Sequence, residues 1–125
     1  MCMTKFRIGL FIVVLAAAVT AWALPAAART SKGRATAVAV TAGKPSEFHF
    51  VLSKKSVPKG AVTFTVTDKG ALPHDFKIAG KRTKLLSPGQ SAKLTVTFTK
   101  AGKYPYQCTV SGHAAAGMKG TLTVK

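Results

Sequence analysis

The sequence predicts an all-β fold, a Greek-key antiparallel β-sandwich, preceded by an N-terminal signal helix. Three observations predict it. Apolar and polar residues alternate with period two in several short runs after residue 34, the pattern of strands with one face in a core and one in water. Turn signals rich in Gly and Pro separate these runs at short spacing, as in a sandwich. No long helical periodicity, internal repeat or low-complexity tract follows residue 28.

Residues 1–28 read as a signal peptide. Lys5 and Arg7 supply a positive start, residues 8–19 an apolar core, and Ala26, Ala27 and Ala28 a small-residue cleavage site. The uncharged run 8–28 holds 21 residues, which also suits an uncleaved anchor across a bilayer needing about 20. Pro25 and the alanine-rich end favour cleavage. On either reading the rest of the chain is exported, periplasmic or extracytoplasmic, and at most tethered through residues 8–28. Residues 29–34 form a basic arm, and residues 35–125 form one domain.

Within that domain, residues 35–41 alternate small and β-branched side chains, and Phe48, Phe50 and Leu52 share a strand face. Val62, Phe64 and Val66 alternate with Thr63, Thr65 and Thr67. Leu94, Val96 and Phe98 alternate with Thr95, Thr97 and Thr99. Threonine suits the wet face because it is both β-branched and polar. Tyr104, Tyr106 and Cys108 share another face, as do Leu122 and Val124. Gly43-Lys44-Pro45, Pro58-Lys59-Gly60, Asp68-Lys69-Gly70, Pro88-Gly89 and Ala101-Gly102 punctuate the runs.

The net charge is +16, with Glu47, Asp68 and Asp75 the only acidic residues. Removing Lys5 and Arg7 with the signal leaves 17 basic residues against 3 acidic, a charge of +14. Such a balance points to acidic partners and speaks to solubility, not to fold. The densest group is Lys77, Lys81, Arg82 and Lys84. No aromatic residues interleave with it and no nucleic-acid motif is present, so no specific nucleic-acid partner is expected. Anionic membrane or cell-wall surfaces remain compatible with the charge.

One short stretch carries the chemistry. Cys108, His113 and Met118 stand five residues apart near the end of the chain, and His74 lies upstream. Taken singly, Cys108 reads as a buried thiol, Met118 as core filler and His113 as a loop residue. Together, one thiolate, two imidazoles and one thioether are the donor set of a blue-copper site. Zinc fits less well, because its sites use Cys, His and carboxylates, and no further Cys or His stands nearby. Export leaves Cys108 as the lone cysteine, a liability in an oxidising compartment unless a metal occupies it. The alternation on Tyr104 and Tyr106 turns the Cys108 sulfur inward, while Gly112 and Gly117 permit a tight loop back to the same point. Hydrogen bonds to the sulfur and to the outer histidine nitrogen tune such a site, and the Asp75 backbone N–H is a candidate donor. His49, on the opposite face from Phe48 and Phe50, reads as an exposed histidine.

These residues resemble the cupredoxins, the small blue copper proteins. The resemblance covers residues 35–125. It is strongest in Cys108-x4-His113-x4-Met118, followed by Gly120 and a final strand. The wording of the loop is most similar to the rusticyanin and sulfocyanin group. The resemblance implies a cupredoxin-like sandwich holding one copper ion per chain. His74, Cys108 and His113 are then equatorial ligands and Met118 is axial. Members often place Asn or Ser after the first histidine, where this chain has Asp75; that leaves the ligands unaltered.

The resulting expectation is a type 1 copper protein that carries one electron between redox partners. An acidic partner such as a cytochrome or oxidase would dock transiently near His113. There, Ala71, Leu72, Pro73 and residues 114–116 offer a small apolar patch, and the carrier is expected to be a monomer. The alternative is copper handling (storage, delivery or resistance) without redox cycling. Catalysis is not expected, since copper oxidases need further copper centres and only His49 would remain to build one.

Overall fold

The structure is a computed structural model that describes residues 33–125. The expected signal peptide and most of the basic arm lie outside the described residues. The described chain is all-β. Its strands are β1 (Thr36–Ala42), β2 (Phe50–Leu52), β3 (Ser56–Val57), β4 (Gly60–Asp68), β5 (Lys77–Ile78), β6 (Lys81–Arg82), β7 (Ser91–Phe98), β8 (Gly102–Gln107) and β9 (Lys119–Val124). They form a four-stranded sheet in the order β2-β1-β4-β7 and a five-stranded sheet in the order β3-β9-β8-β5-β6.

The alternation seen in the sequence becomes the sandwich interior. In β4, Val62, Phe64 and Val66 are fully buried, while Thr63, Thr65 and Thr67 are only half-buried. The opposite sheet contributes Ile78, Tyr106, Leu122 and Val124. Phe76 joins the two. Its ring lies 5.3 Å from Phe50, 5.3 Å from Phe64 and 5.4 Å from Tyr106. Offset and edge contacts at such distances add to the area that aromatic rings bury.

Two expectations need correction. The sandwich is not wholly antiparallel, because β1 pairs with β4 in parallel over its whole length and β3 pairs with β9 in parallel. Alternation fixes which face of a strand is buried but carries no information on the direction of its neighbour. Phe48 is not in a strand either. The Gly43 N–H donates to the His49 carbonyl (2.9 Å), which closes a turn before β2 begins at Phe50. Phe48 therefore leaves the ladder, and its ring is free to pack elsewhere.

Candidate metal centre

The four predicted residues come from three places in the chain. Cys108 directly follows β8, so the inward phase of Tyr106 carries its sulfur into the interior, 1% exposed. His113 and Met118 belong to the loop between β8 and β9, which closes on itself. The Cys108 N–H donates to the Met118 carbonyl (3.1 Å), and the Met118 N–H donates to the His113 carbonyl (3.0 Å). Gly112 and Gly117 turn this loop with φ of 80° and 114°, values that favour glycine. His74 lies between β4 and β5 and is held by an isolated antiparallel bridge to Leu86, with bonds of 3.0 and 2.8 Å.

The result is a convergence of donors. His74 Nδ1 is 3.1 Å from His113 Nδ1, and Cys108 Sγ is 3.7 Å from the same His113 nitrogen. One donor atom from each of the three lies within 4.8 Å of the others, and all three side chains are buried. Donors that each stand about 2.0–2.3 Å from one ion can be at most about 4.6 Å apart, and the separations of 3.1 and 3.7 Å lie within that reach. Met118 is fully buried, and its backbone is bonded to both Cys108 and His113. The cluster of His74, Cys108, His113 and Met118 is consistent with a type 1 copper site.

Sequence reasoning missed two side chains that hold these donors in place. Glu47 accepts from His74 Nε2–H at 2.8 Å and from the Ala71 and Leu72 backbone N–H groups, each at 2.9 Å. Because the carboxylate accepts at Nε2, the proton sits there and the Nδ1 lone pair faces the cluster. Those two backbone bonds, with His74 beside them, hold the Glu47 carboxyl down at about 2. Its neighbour Phe48 packs edge-on against the His113 ring at 5.0 Å. Consecutive residues of one turn thus brace both imidazoles. The one available signal was that Glu47 is among only three acids in a strongly basic chain.

Asp75 ties the first histidine to the cysteine. Its carboxylate accepts from the Thr109 N–H (2.5 Å) and from the Thr109 hydroxyl, and Arg82 Nε stands 3.9 Å from it. The backbone N–H groups of Asp75, the donor expected from the sequence, and of Val110 act on the Cys108 sulfur. Burial raises the Cys108 thiol, while these two N–H groups oppose the rise by favouring thiolate. Burial, then the neighbouring His74, lowers His113 and so favours the neutral imidazole that ligates metal. His49 is exposed, as expected.

Comparison with known proteins agrees with this geometry. The family model described as Cupredoxin-like domain matches residues 11–124. The copper-resistant cuproprotein CopI of Pseudomonas aeruginosa is 54% identical over 41 residues, 33% of this chain and 23% of that protein. Auracyanin-B of Chloroflexus aurantiacus is 46% identical over 52 residues, 42% of this chain and 22% of that protein. These matches thus span less than a quarter of each curated relative. Among solved structures, reduced auracyanin from Roseiflexus castenholzii superposes with a TM-score of 0.62 at 25% identity, covering 74% of this chain and 99% of that one. Rusticyanin from Thiobacillus ferrooxidans gives 0.61 at 26% identity, covering 74% and 79%. The chain belongs to the cupredoxin-like domain family.

Proposed function

We propose that this protein is an exported one-electron carrier with a type 1 copper centre held by His74, Cys108, His113 and Met118. The observation that carries the reading is the enclosure of a preformed donor set. His74 and Cys108 are sealed from solvent, and only the His113 ring approaches the surface, at 9% exposure. Bound copper supplies a one-electron couple, with the thioether as a weak fourth ligand. The chain's own part is to keep the donors where they are. Glu47 and Phe48 brace the imidazoles, and Asp75 fixes the start of the ligand loop, so little need move when an electron arrives. Auracyanin and rusticyanin are both described in a reduced state, which supports redox cycling on this fold.

The His113 edge is the exit for the electron. Ala71, Leu72 and Pro73, which precede His74, and Ala115 and Ala116, which follow His113, are exposed. Leu85, beside the bridge from Leu86 to His74, adds a side chain that is 57% exposed. A small apolar rim of this kind suits a brief encounter. No substrate-binding role is assigned to it, and the protein is proposed not to be an enzyme.

One observation favours a second reading. The match to a copper-resistant cuproprotein supports copper handling, in which the same ligands hold copper without cycling. Repeated reduction and reoxidation of the copper-loaded protein in the presence of a copper(I) chelator separates the two. A carrier keeps its copper through the cycles; a handling protein surrenders it on reduction.

A further inference from the structure

The outer face of the five-stranded sheet carries a feature that the carrier reading leaves unused. Lys119 pairs with Gln107, Gln107 with Lys77, and Lys77 with Arg82. Directly paired residues project from the same face, so these four side chains form one row across β9, β8, β5 and β6. All four are exposed, and their chain neighbours Tyr106 and Ile78 point into the core. At a strand spacing of about 4.8 Å the row is roughly 14 Å long. It carries three positive charges and no negative one.

Among the described residues, only Arg82 of the three cations has a carboxylate within ion-pair reach, with Asp75 Oδ2 3.9 Å from its Nε; Lys77 and Lys119 have none. Glu47 is engaged by His74 and two backbone N–H groups, Asp68 is fully buried, and Asp75 is buried against Thr109. Beside the row lies a mostly apolar hollow of about 320 Å³, lined by residues 77–80 and 104–107.

The row is also bonded closely to the metal centre. Gln107 is joined to Cys108 by a single peptide link. Arg82 Nη1 donates to Thr109 Oγ1 at 3.2 Å, on the other side of Cys108. A partner seated here would meet the thiolate side of the copper site, not the His113 side.

We propose that this sheet face, along Lys119, Gln107, Lys77 and Arg82, is a second docking surface, used by a one-electron partner protein with an acidic face. A carrier has a donor and an acceptor, and two surfaces of different chemistry let it meet them separately. The apolar rim around His113 serves one. The cationic row serves the other, with carboxylates over the three charges and an apolar side chain in the hollow. One electron passes between the partner's redox centre and the bound copper, with no bond or proton exchanged. The proposal rests on the carrier reading.

The test compares charge reversals on the copper-loaded protein. Lys77→Glu with Lys119→Glu takes the row from three positive charges to a net charge of −1; Lys59→Glu with Lys100→Glu makes the same net change at the far end of the sandwich. The readout is the second-order rate of copper(II) reduction by hexacyanoferrate(II) at low salt. Amide shifts of the copper(I) protein during titration with poly-L-glutamate map where an acidic chain sits. The row variant is expected to lose about tenfold in rate while the far-end variant loses less than about twofold, as local steering requires. Shifts are expected to centre on residues 77, 82, 107 and 119. Equal losses in both variants, or shifts confined to the His113 end or spread evenly, overturn the proposal. Row-dependent binding to phosphatidylglycerol vesicles without a change in rate reassigns the face to a membrane and also overturns it. A centre that fails to cycle at all overturns the carrier reading and the proposal with it; a cycling centre with equal losses overturns the docking surface alone.

Discussion

Glu47 Oε1 lies 2.8 Å from His74 Nε2, across 27 residues of sequence, and makes the first proposed copper ligand part of a carboxylate–histidine pair. The same carboxylate binds the Ala71 and Leu72 N–H groups, so one side chain fixes both the ring and the loop that carries it. Partners of this kind orient a ligand and raise its basicity.

Glu47→Ala is therefore expected to weaken copper retention by about 10- to 100-fold, the usual cost of removing such a partner. Glu47→Gln, whose amide oxygen still accepts from His74, is expected to lose less. Competition with a copper chelator measures both. Equal retention in all three proteins would show that the turn carrying Glu47 does not position the site.

Gly70→Ala tests the same contact from the other side. A Cβ at Gly70 would clash with Glu47 Oε1 and stand 2.9 Å from His74 Nε2, so the pair must part. Overpacking of this kind costs about 1–3 kcal/mol, read as a lower urea midpoint with the slope unchanged. Gly33→Ala, where an added Cβ meets nothing within 4 Å, is the control and is expected to be neutral.

Asp75 places a carboxylate one residue from His74 and in contact with Thr109, next to Cys108. A negative charge there favours copper(II). Asp75→Asn is expected to raise the reduction potential by tens of millivolts, on a scale where about 59 mV is tenfold for one electron. Arg82→Gln removes the opposing cation and is expected to shift the potential downward and by less, since Arg82 is largely exposed. Voltammetry of the two variants gives the signs directly.

Phe76 tests the core that supports the site. It is fully buried, touches Phe50, Phe64 and Tyr106, and lies two residues from His74. Phe76→Ala is expected to cost about 3–5 kcal/mol in urea unfolding. A loss under about 1 kcal/mol would mean that the two sheets do not depend on this ring.

Much of the site is legible in the sequence because its information is local. The phase of Tyr104, Tyr106 and Cys108 along one strand predicts the inward sulfur, and two glycines predict the closed loop that returns Met118 to it. The parallel pairing of β1 with β4 is not legible, since side-chain alternation is identical for either direction of a neighbour. Glu47 and Phe48 are not legible for a different reason. Their partners, His74 and His113, are distant in sequence, and a lone acid or a lone aromatic in a turn carries no spacing to read. The cationic row is partly legible. Lys77 and Arg82 stand out as a charged group, but only the strand register adds Gln107 and Lys119 to them.

The visible spectrum of the copper(II)-loaded protein tests the central claim most directly. An intense blue absorbance, absent from Cys108→Ser, is the predicted result, because it requires the Cys108 thiolate bound beside His74 and His113. A colourless copper(II) complex of the native protein would contradict the type 1 assignment, and with it the electron-carrier function.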